Sequence, residues 1–340
     1  MKSIENKSAI VIPTINRLEF VFRQLNFYQD CNSKIAIYIG ISDPIYKYEY
    51  FKLKIKEVNY KFPIKIYHIP ELNAAQAIQY LVKNVEEKFV AFCGDDDFLI
   101  PNSIIECENI LLSEPTISIV QGKSLQFAHK DNKKFGKVDS ISNYINYIDN
   151  SDEKSYERIK NFSYNYFTPQ FSLHRTNEFF LNMSGMESME DRQFTEILSN
   201  YADLARGKSY TINSLYLVRT VHDERVSLVN GLDWIMSKNF IQSYTIFIEK
   251  ISSIVSSLDN IPFKDAQEKV KNSIAIYIGR VLINKSNIRI VKKSLLIILL
   301  NKFPLLKNKI KSLYYQIKYL KYGYDFRNII KFINNYKTDY

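Results

Sequence analysis

Three consecutive carboxylates, Asp95, Asp96 and Asp97, directly follow a short apolar segment and are the residues of this chain best suited to metal chemistry. Adjacent acids repel one another, so a divalent cation, alone or bound to a diphosphate, is their natural partner. The preceding residues 88–93 predict a buried strand, which would deliver the acids to the carboxyl edge of a sheet, where open α/β folds bind ligands. The sequence therefore predicts a metal-assisted transfer reaction at that edge.

The elements that would position these acids alternate through the first hundred residues. Apolar runs predict strands, and segments of helical periodicity lie between them. The strands are expected at 9–13, 34–40 and 63–69, and the helices at 17–28 and 74–84. Such alternation predicts an α/β fold with a mostly parallel sheet flanked by helices.

The second half of the chain is less regular. Polar residues 131–157 predict a loop, a strand is expected at 167–174 and another at 214–219, with a helix at 192–204 between them. Past residue 231 the pattern is helical to the C-terminus. We therefore expect a catalytic domain over 1–230 and a helical, basic region over 231–340.

Composition narrows the class of protein. The 340 residues are 46% hydrophobic and 14% aromatic, enough for a substantial core. Cys31, Cys93 and Cys107 form no CxxC pair and no even framework, which argues against structural disulfides and a zinc cluster and favours a reducing cytoplasm. The apolar run before Pro13 is too short for a secretory signal, and the aliphatic run 295–300 is too short to span a membrane.

The net charge of +10 is concentrated near the C-terminus, where residues 285–340 carry thirteen Lys and Arg against two acids. Apolar residues spaced by three or four over 306–320, flanked by lysines, predict an amphipathic helix. Such a helix suits the anionic cytoplasmic face of a membrane. The alternatives are packing on the catalytic domain or on a second copy in a homodimer. Binding of nucleic acid by the lysines and interleaved tyrosines is not expected, because no nucleic-acid module accompanies them.

Several short motifs in order resemble a known family. They are VIPTINRLEF, Ile-Ser-Asp after the second strand, GDDDFLIP, Met-Glu-Asp at 189–191 and LVRTVH. Together they resemble a family 2 glycosyltransferase of the GT-A fold, of the bacterial surface-polysaccharide type, over residues 8–225. The roles given below are what this resemblance implies.

The resemblance implies that the loop after the first strand cradles the nucleotide of a sugar donor. Its residues here are Pro13, Thr14, Asn16 and Arg17, with Arg17 suited to the diphosphate. Asp43, after the second strand, matches the acid that contacts the base or ribose. The alternative readings are an ordinary turn with Thr14 as a helix cap, and an Asp-Pro turn start at Asp43.

The three aspartates match the acidic metal-binding motif, although Gly94 replaces its usual first acid. We expect Asp97, with Asp95 and His222, to bind Mn²⁺ or Mg²⁺, and Asp95 or Asp96 to contact the ribose. Strand alternation would point Asp95 and Asp97 to one side and Asp96 to the other. An imidazole ligand favours manganese. The alternatives are a structural triple-acid turn and a core histidine.

Asp191, preceded by Glu190, matches the acidic pair that deprotonates the acceptor hydroxyl in inverting members of the family. The alternative for Asp191 is capping of the helix that follows.

The prediction is a metal-dependent, inverting glycosyltransferase that uses a nucleotide sugar in lipopolysaccharide or capsule synthesis, with a glycan or lipid-linked acceptor. It would be cytoplasmic or peripheral on the inner membrane. A nucleotidyltransferase is disfavoured because the loop PTINR lacks glycine. A non-catalytic module that binds membrane or nucleic acid through a degenerate site is the other alternative.

Overall fold

A computed structural model describes residues 7–145, 147–223, 231–286 and 322–337. The strands are β1 (Ser8–Thr14), β2 (Ala36–Ile41), β3 (Ile64–His68), β4 (Phe89–Phe92), β5 (Phe98–Leu99), β6 (Ile117–His129), β7 (Val138–Asn143), β8 (Leu173–Arg175) and β9 (Lys208–Val221). The helices are α1 (Leu18–Asp30), α2 (Ile45–Val58), α3 (Ala74–Lys83), α4 (Pro101–Ser113), α5 (Ser155–Tyr164), α6 (Thr176–Asn182), α7 (Arg192–Arg206), α8 (Gly231–Ile235), α9 (Phe240–Asp259), α10 (Phe263–Ser286) and α11 over 322–335.

The described strands form one nine-stranded sheet in the order β3-β2-β1-β4-β8-β6-β9-β5, with β7 paired to β6. β3, β2, β1 and β4 are parallel, as the alternating sequence predicts. Beyond β4 the sheet is mixed, because β8 runs antiparallel to both β4 and β6, and β5 runs antiparallel to β9. The carboxyl end of β4, where the aspartates begin, therefore lies near the middle of the sheet.

Helices cover both faces of the sheet because consecutive residues of β1 are apolar and successive side chains point to opposite faces. In β1, Ile10 and Ile12 belong to one buried core, whereas Ala9 and Val11 belong to the core on the opposite face. α1, α4 and α11 supply residues to the first core, and α3, α5, α7, α9 and α10 supply residues to the second.

Helices on the two sides of the predicted boundary share the second core. Trp234 of α8, Phe247 of α9 and Tyr277 of α10 are buried together with Phe194 and Tyr201 of α7. The boundary itself falls at the edge of residues 224–230, outside the described residues. The two-domain division stays a prediction.

The C-terminal helix α11 returns to the first core. Ile329 and Ile333 are buried there, and the Phe332 ring lies 5.4 Å from that of Phe27. The Asn334 Oδ1 atom accepts a hydrogen bond of 2.7 Å from the Val138 amide at the start of β7. The amphipathic helix predicted over 306–320 lies outside the described residues. No helix within the described ranges combines the length and the apolar character needed to cross a bilayer.

Candidate active site

The loop after β1 is tied to the loop after β2. Asn16 adopts a left-handed conformation (φ 56°), and its amide donates a hydrogen bond of 2.9 Å to Asp43 Oδ2. Lys47 Nζ lies 3.1 Å from Asp43 Oδ1, and the Asp43 side chain is fully buried. Because β1 and β2 are adjacent parallel strands, their carboxyl ends bring Asn16 and Asp43 together. The structure thus places both predicted donor-binding loops at one edge of the sheet.

The three aspartates lie in a turn between β4 and β5. The turn is closed by a hydrogen bond of 3.2 Å from the Asp97 amide to the Gly94 carbonyl. Arg17 Nη1 lies 3.2 Å from Asp95 Oδ1 and 3.4 Å from Asp96 Oδ2, so it bridges two successive carboxylates. The expected strand alternation, with Asp96 facing away from Asp95, is therefore wrong, since the strand ends at Phe92.

Asp95 also binds the β1 loop directly. Its Oδ2 atom accepts a hydrogen bond of 2.9 Å from Thr14 Oγ1, and Pro13 pairs with Gly40 of β2 just before it. Thr14 therefore orients a carboxylate and does not cap α1, whose preceding residue, Arg17, makes no side-chain capping bond. Burial, followed by the charge of Asp96, raises the pKa of Asp95 to about 7.

Asp97 is held by the protein on both carboxylate oxygens. Oδ2 accepts a hydrogen bond of 2.7 Å from Arg219 Nε, and Oδ1 accepts one of 3.0 Å from the Thr220 amide. The side chain is fully buried, and the Arg219 guanidinium also lies over the rings of Tyr144 (4.6 Å) and Phe171 (4.7 Å). A metal ion would have to displace one of these donors to reach Asp97.

Burial affects the two members of this pair in opposite ways. For Arg219, burial lowers the pKa, but the Asp97 carboxylate more than offsets it, so the pKa lies above its usual value. For Asp97, burial outweighs the guanidinium and raises the pKa. We take the pair as ionised, because both atoms facing the carboxylate are N–H donors and a protonated oxygen would oppose one of them.

Asp96 faces the histidine that the sequence singled out. His222 Nε2 lies 2.8 Å from Asp96 Oδ2, and the imidazole stacks on Phe20 at a centroid distance of 5.1 Å. Burial alone would raise the pKa of Asp96, but the hydrogen bond with His222 and the charge of Arg17 outweigh it, and the pKa lies below its usual value. Of the three aspartates, Asp96 is the one whose pKa its surroundings lower.

The side chains around Asp96 determine whether a divalent cation fits there. Over the described ranges, no cluster of three or more His, Cys, Asp or Glu side chains is arranged to hold a metal. Asp96 and His222 are nevertheless adjacent, and a cation held by both would replace the hydrogen bond of 2.8 Å between Asp96 Oδ2 and His222 Nε2, whereas the buried His222 Nδ1 has no hydrogen-bond partner among the described residues. Mg²⁺ and similar ions are commonly held by one or two protein groups together with substrate phosphates. The two residues fit a cation of that kind.

Two residues of α1 whose role was not predicted from the sequence hydrogen-bond to the backbone of the acidic turn. Arg23 Nη2 donates a hydrogen bond of 2.8 Å to the Asp96 carbonyl, and its guanidinium lies 4.9 Å from the ring centroids of both Phe20 and Phe98. Gln24 Nε2 donates bonds of 2.6 Å to the Gly94 and Asp97 carbonyls. The sequence contains a signal for this role, because Arg23 and Gln24 are adjacent polar residues within the largely apolar segment LEFVFRQLNF.

The predicted general base is a helix cap in this structure. Asp191 Oδ1 accepts a hydrogen bond of 2.8 Å from the Phe194 amide, and Trp234 Nε1 lies 3.1 Å and 3.0 Å from Oδ1 and Oδ2. The side chain is buried, whereas Glu190 is exposed. Trp234 was not foreseen, because it lies more than forty residues further along the chain.

Two crystal structures of S. aureus TarS share the fold. That of TarS 1–349 in complex with UDP has a TM-score of 0.54 and 12% identity, and the match covers 81% of this chain and 71% of that chain. That in complex with UDP-GlcNAc has a TM-score of 0.50 and 11% identity, and the match covers 82% of both chains. No family model and no curated protein matches the chain. The predicted fold class is confirmed, and the fold is one that glycosyltransferases have; membership of family 2 stays a prediction.

Proposed function

We propose that this protein transfers a sugar from a nucleotide-activated donor to a glycan or lipid-linked acceptor in the synthesis of a surface polysaccharide. The observation that supports this most directly is the turn holding Asp95 and Asp96, which joins the β1 loop through Arg17 and Thr14 at the carboxyl end of the central strands. The fold is shared with a protein crystallised with UDP and UDP-GlcNAc, and open α/β sheets bind ligands at this edge.

The donor would lie across the loops after β1 and β2. Asp43 and Asn16 would contact the nucleoside, since a carboxylate accepts from an imide N–H or a ribose hydroxyl. Arg17, which lies beside Asp95 and Asp96, would contact the diphosphate. Asp95, held by Thr14, would face the ribose.

For the metal we propose Asp96 and His222 as ligands in preference to Asp97. Asp97 has both oxygens bonded to N–H donors, whereas Asp96 has one oxygen on His222 and Arg17 and belongs to a less buried side chain. A divalent cation bound there would act as a Lewis acid that stabilises the departing nucleoside diphosphate. The protein's own groups would orient the donor and keep Asp96 ionised.

The acceptor side and the cellular setting are also part of the proposal. Asp191, with Glu190, would deprotonate the acceptor hydroxyl, and attack opposite the leaving group would invert the anomeric carbon. The basic region 285–340 would hold the enzyme at the cytoplasmic face of a membrane or join two copies of the chain.

Nucleotide binding by purified protein tests the core of the proposal. UDP, GDP and CDP are titrated by calorimetry with and without MnCl₂ into the wild type, Asp96→Asn and the control Asp30→Asn, whose side chain is exposed at the end of α1. We expect at least one diphosphate to bind with Mn²⁺, and Asp96→Asn to weaken that binding about tenfold or more, as the loss of a charged contact implies. If none of the three binds to the wild type, the proposal fails.

A further inference from the structure

One face of α7 carries a row of acidic and amide side chains. Glu196, Asn200 and Asp203 share that face, because they are spaced by four and three residues along the helix. The Asp203 carbonyl accepts a hydrogen bond of 2.9 Å from Ser118 Oγ near the start of β6. One helical turn closer to the N-terminus of α7, the Asn200 Oδ1 atom accepts a hydrogen bond of 3.0 Å from the amide of Gln170, which lies just before β8. Glu196 lies a further turn, about 6 Å, closer to the N-terminus of α7.

The acidic turn is linked to this face of α7 by contacts between neighbouring residues. Phe92, the last residue of β4, stacks on Phe171 at 5.3 Å, and Phe171 in turn supports the Arg219 guanidinium, whose Nε binds Asp97. Gln170, whose amide donates to Asn200 Oδ1, immediately precedes Phe171. Phe171 and Gln170 therefore connect the acidic turn with the face of α7 that carries Glu196.

Glu196 is held in a defined orientation with one oxygen spare. Tyr166 Oη donates a hydrogen bond of 2.9 Å to Glu196 Oε1, and Asn200 Nδ2 donates one of 2.9 Å to Tyr166 Oη. No described residue donates to Glu196 Oε2, and the side chain is partly exposed. Burial raises the pKa of Glu196, while Tyr166 and Arg219 act in the opposite direction. A fixed carboxylate with a spare acceptor is suited to a hydroxyl group.

Asp191 has less spare acceptor capacity than Glu196. Both of its oxygens are engaged by Trp234, and one also caps α7 through Phe194. Glu196, five residues further along, is the carboxylate of this helix that is anchored on one side and open on the other.

We infer that Glu196, oriented by Tyr166 and Asn200, binds a hydroxyl group of the acceptor, and that the acceptor is a polyhydroxylated molecule, a glycan or a polyol. This inference rests on the proposed function for the meaning of "acceptor". The charge-assisted hydrogen bond that Glu196 would accept requires no movement of the side chain.

Binding of simple hydroxylated ligands tests this assignment. Saturation-transfer NMR is recorded for a set of methyl glycosides and glycerol with the wild type, Glu196→Gln, Tyr166→Phe and the control Glu249→Gln, whose side chain is exposed on α9. Glu196→Gln retains an oxygen for Tyr166 to donate to, so it is expected to fold. Thermal unfolding of each variant verifies this.

We expect at least one ligand to bind to the wild type and to Glu249→Gln. Its affinity should fall about tenfold in Glu196→Gln, which corresponds to losing a hydrogen bond to a charged group, and less in Tyr166→Phe. Equal affinity for the wild type and Glu196→Gln, or no binding by any ligand of the set to the wild type, overturns the inference. The UDP titration is independent of Glu196, so failure of that titration identifies a failure of the proposed function instead.

Discussion

Replacing Asp97 and Asp96 in turn by asparagine separates an acid that stabilises the fold from one that binds the donor. Asp97 is fully buried and accepts from Arg219 Nε and the Thr220 amide. In Asp97→Asn, the side-chain NH₂ must face one of these two donors, and the buried guanidinium loses its counter-ion. Removing one partner of a buried ion pair costs about 3–5 kcal/mol of unfolding free energy.

Asp96→Asn should behave differently. The Asp96 carbonyl, which binds Arg23 Nη2, is unchanged by the substitution, and the side chain loses only its contacts with Arg17 and His222. Arg17 is partly exposed, so we expect a loss of about 1 kcal/mol of unfolding free energy. Binding of Mn²⁺ with UDP should nevertheless be strongly weakened.

Urea denaturation followed by circular dichroism measures the difference. With a slope of about 3 kcal/mol/M, Asp97→Asn should lower the midpoint by about 1 M or more, and Asp96→Asn by a few tenths. The control Asp30→Asn should stay within about 0.5 kcal/mol of the wild type. The reasoning is refuted if Asp97→Asn is as stable as the wild type but no longer binds Mn²⁺, while Asp96→Asn still binds it.

Three further predictions address the metal, the base and the C-terminal helix. Removing divalent cations with EDTA should weaken UDP binding in calorimetry, because the uncompensated acids repel a diphosphate; unchanged affinity would contradict a metal at this site. Asp191→Asn should keep α7 capped, so the free energy of unfolding should fall by less than about 1 kcal/mol. If Asp191 is the base, the same substitution should lower the rate of sugar transfer about 10²-fold or more. An unchanged rate would mean that Asp191 acts only as a helix cap. Ile329 of α11 is fully buried, so Ile329→Ala should lower the free energy of unfolding, measured by urea denaturation, by about 2–5 kcal/mol. Tyr324 is 72% exposed, so Tyr324→Ala should lower it by less than about 0.5 kcal/mol. Equal effects would show that α11 does not pack as described.

The sequence was a good guide where local patterns are decisive. The apolar runs of β1 and before Asp95 predicted strands that the structure contains, and helical periodicity predicted α7 from its first residue. Local sequence patterns do not predict the order of the strands in the sheet. β8 has only three residues, and its antiparallel insertion between β4 and β6 depends on contacts made far away in the chain.

The roles of individual acids were harder to predict than their presence. The spacing of Asp95, Asp96 and Asp97 is compatible with several orientations, and the turn places the first two against Arg17 and the third against Arg219. Arg219 lies more than a hundred residues away, so no local pattern shows which carboxylate it neutralises.

The contacts of α11 link the far end of the chain to this turn. Phe332 lies 6.2 Å from Phe98, the residue after Asp97, and Tyr336 lies 6.0 Å from Phe135, which in turn packs on Phe20. Phe20 stacks on His222, so the histidine is linked through Phe20 and Phe135 to Tyr336, the residue that follows α11. α11 and Tyr336 therefore support the acidic turn through Phe98, Phe135 and Phe20.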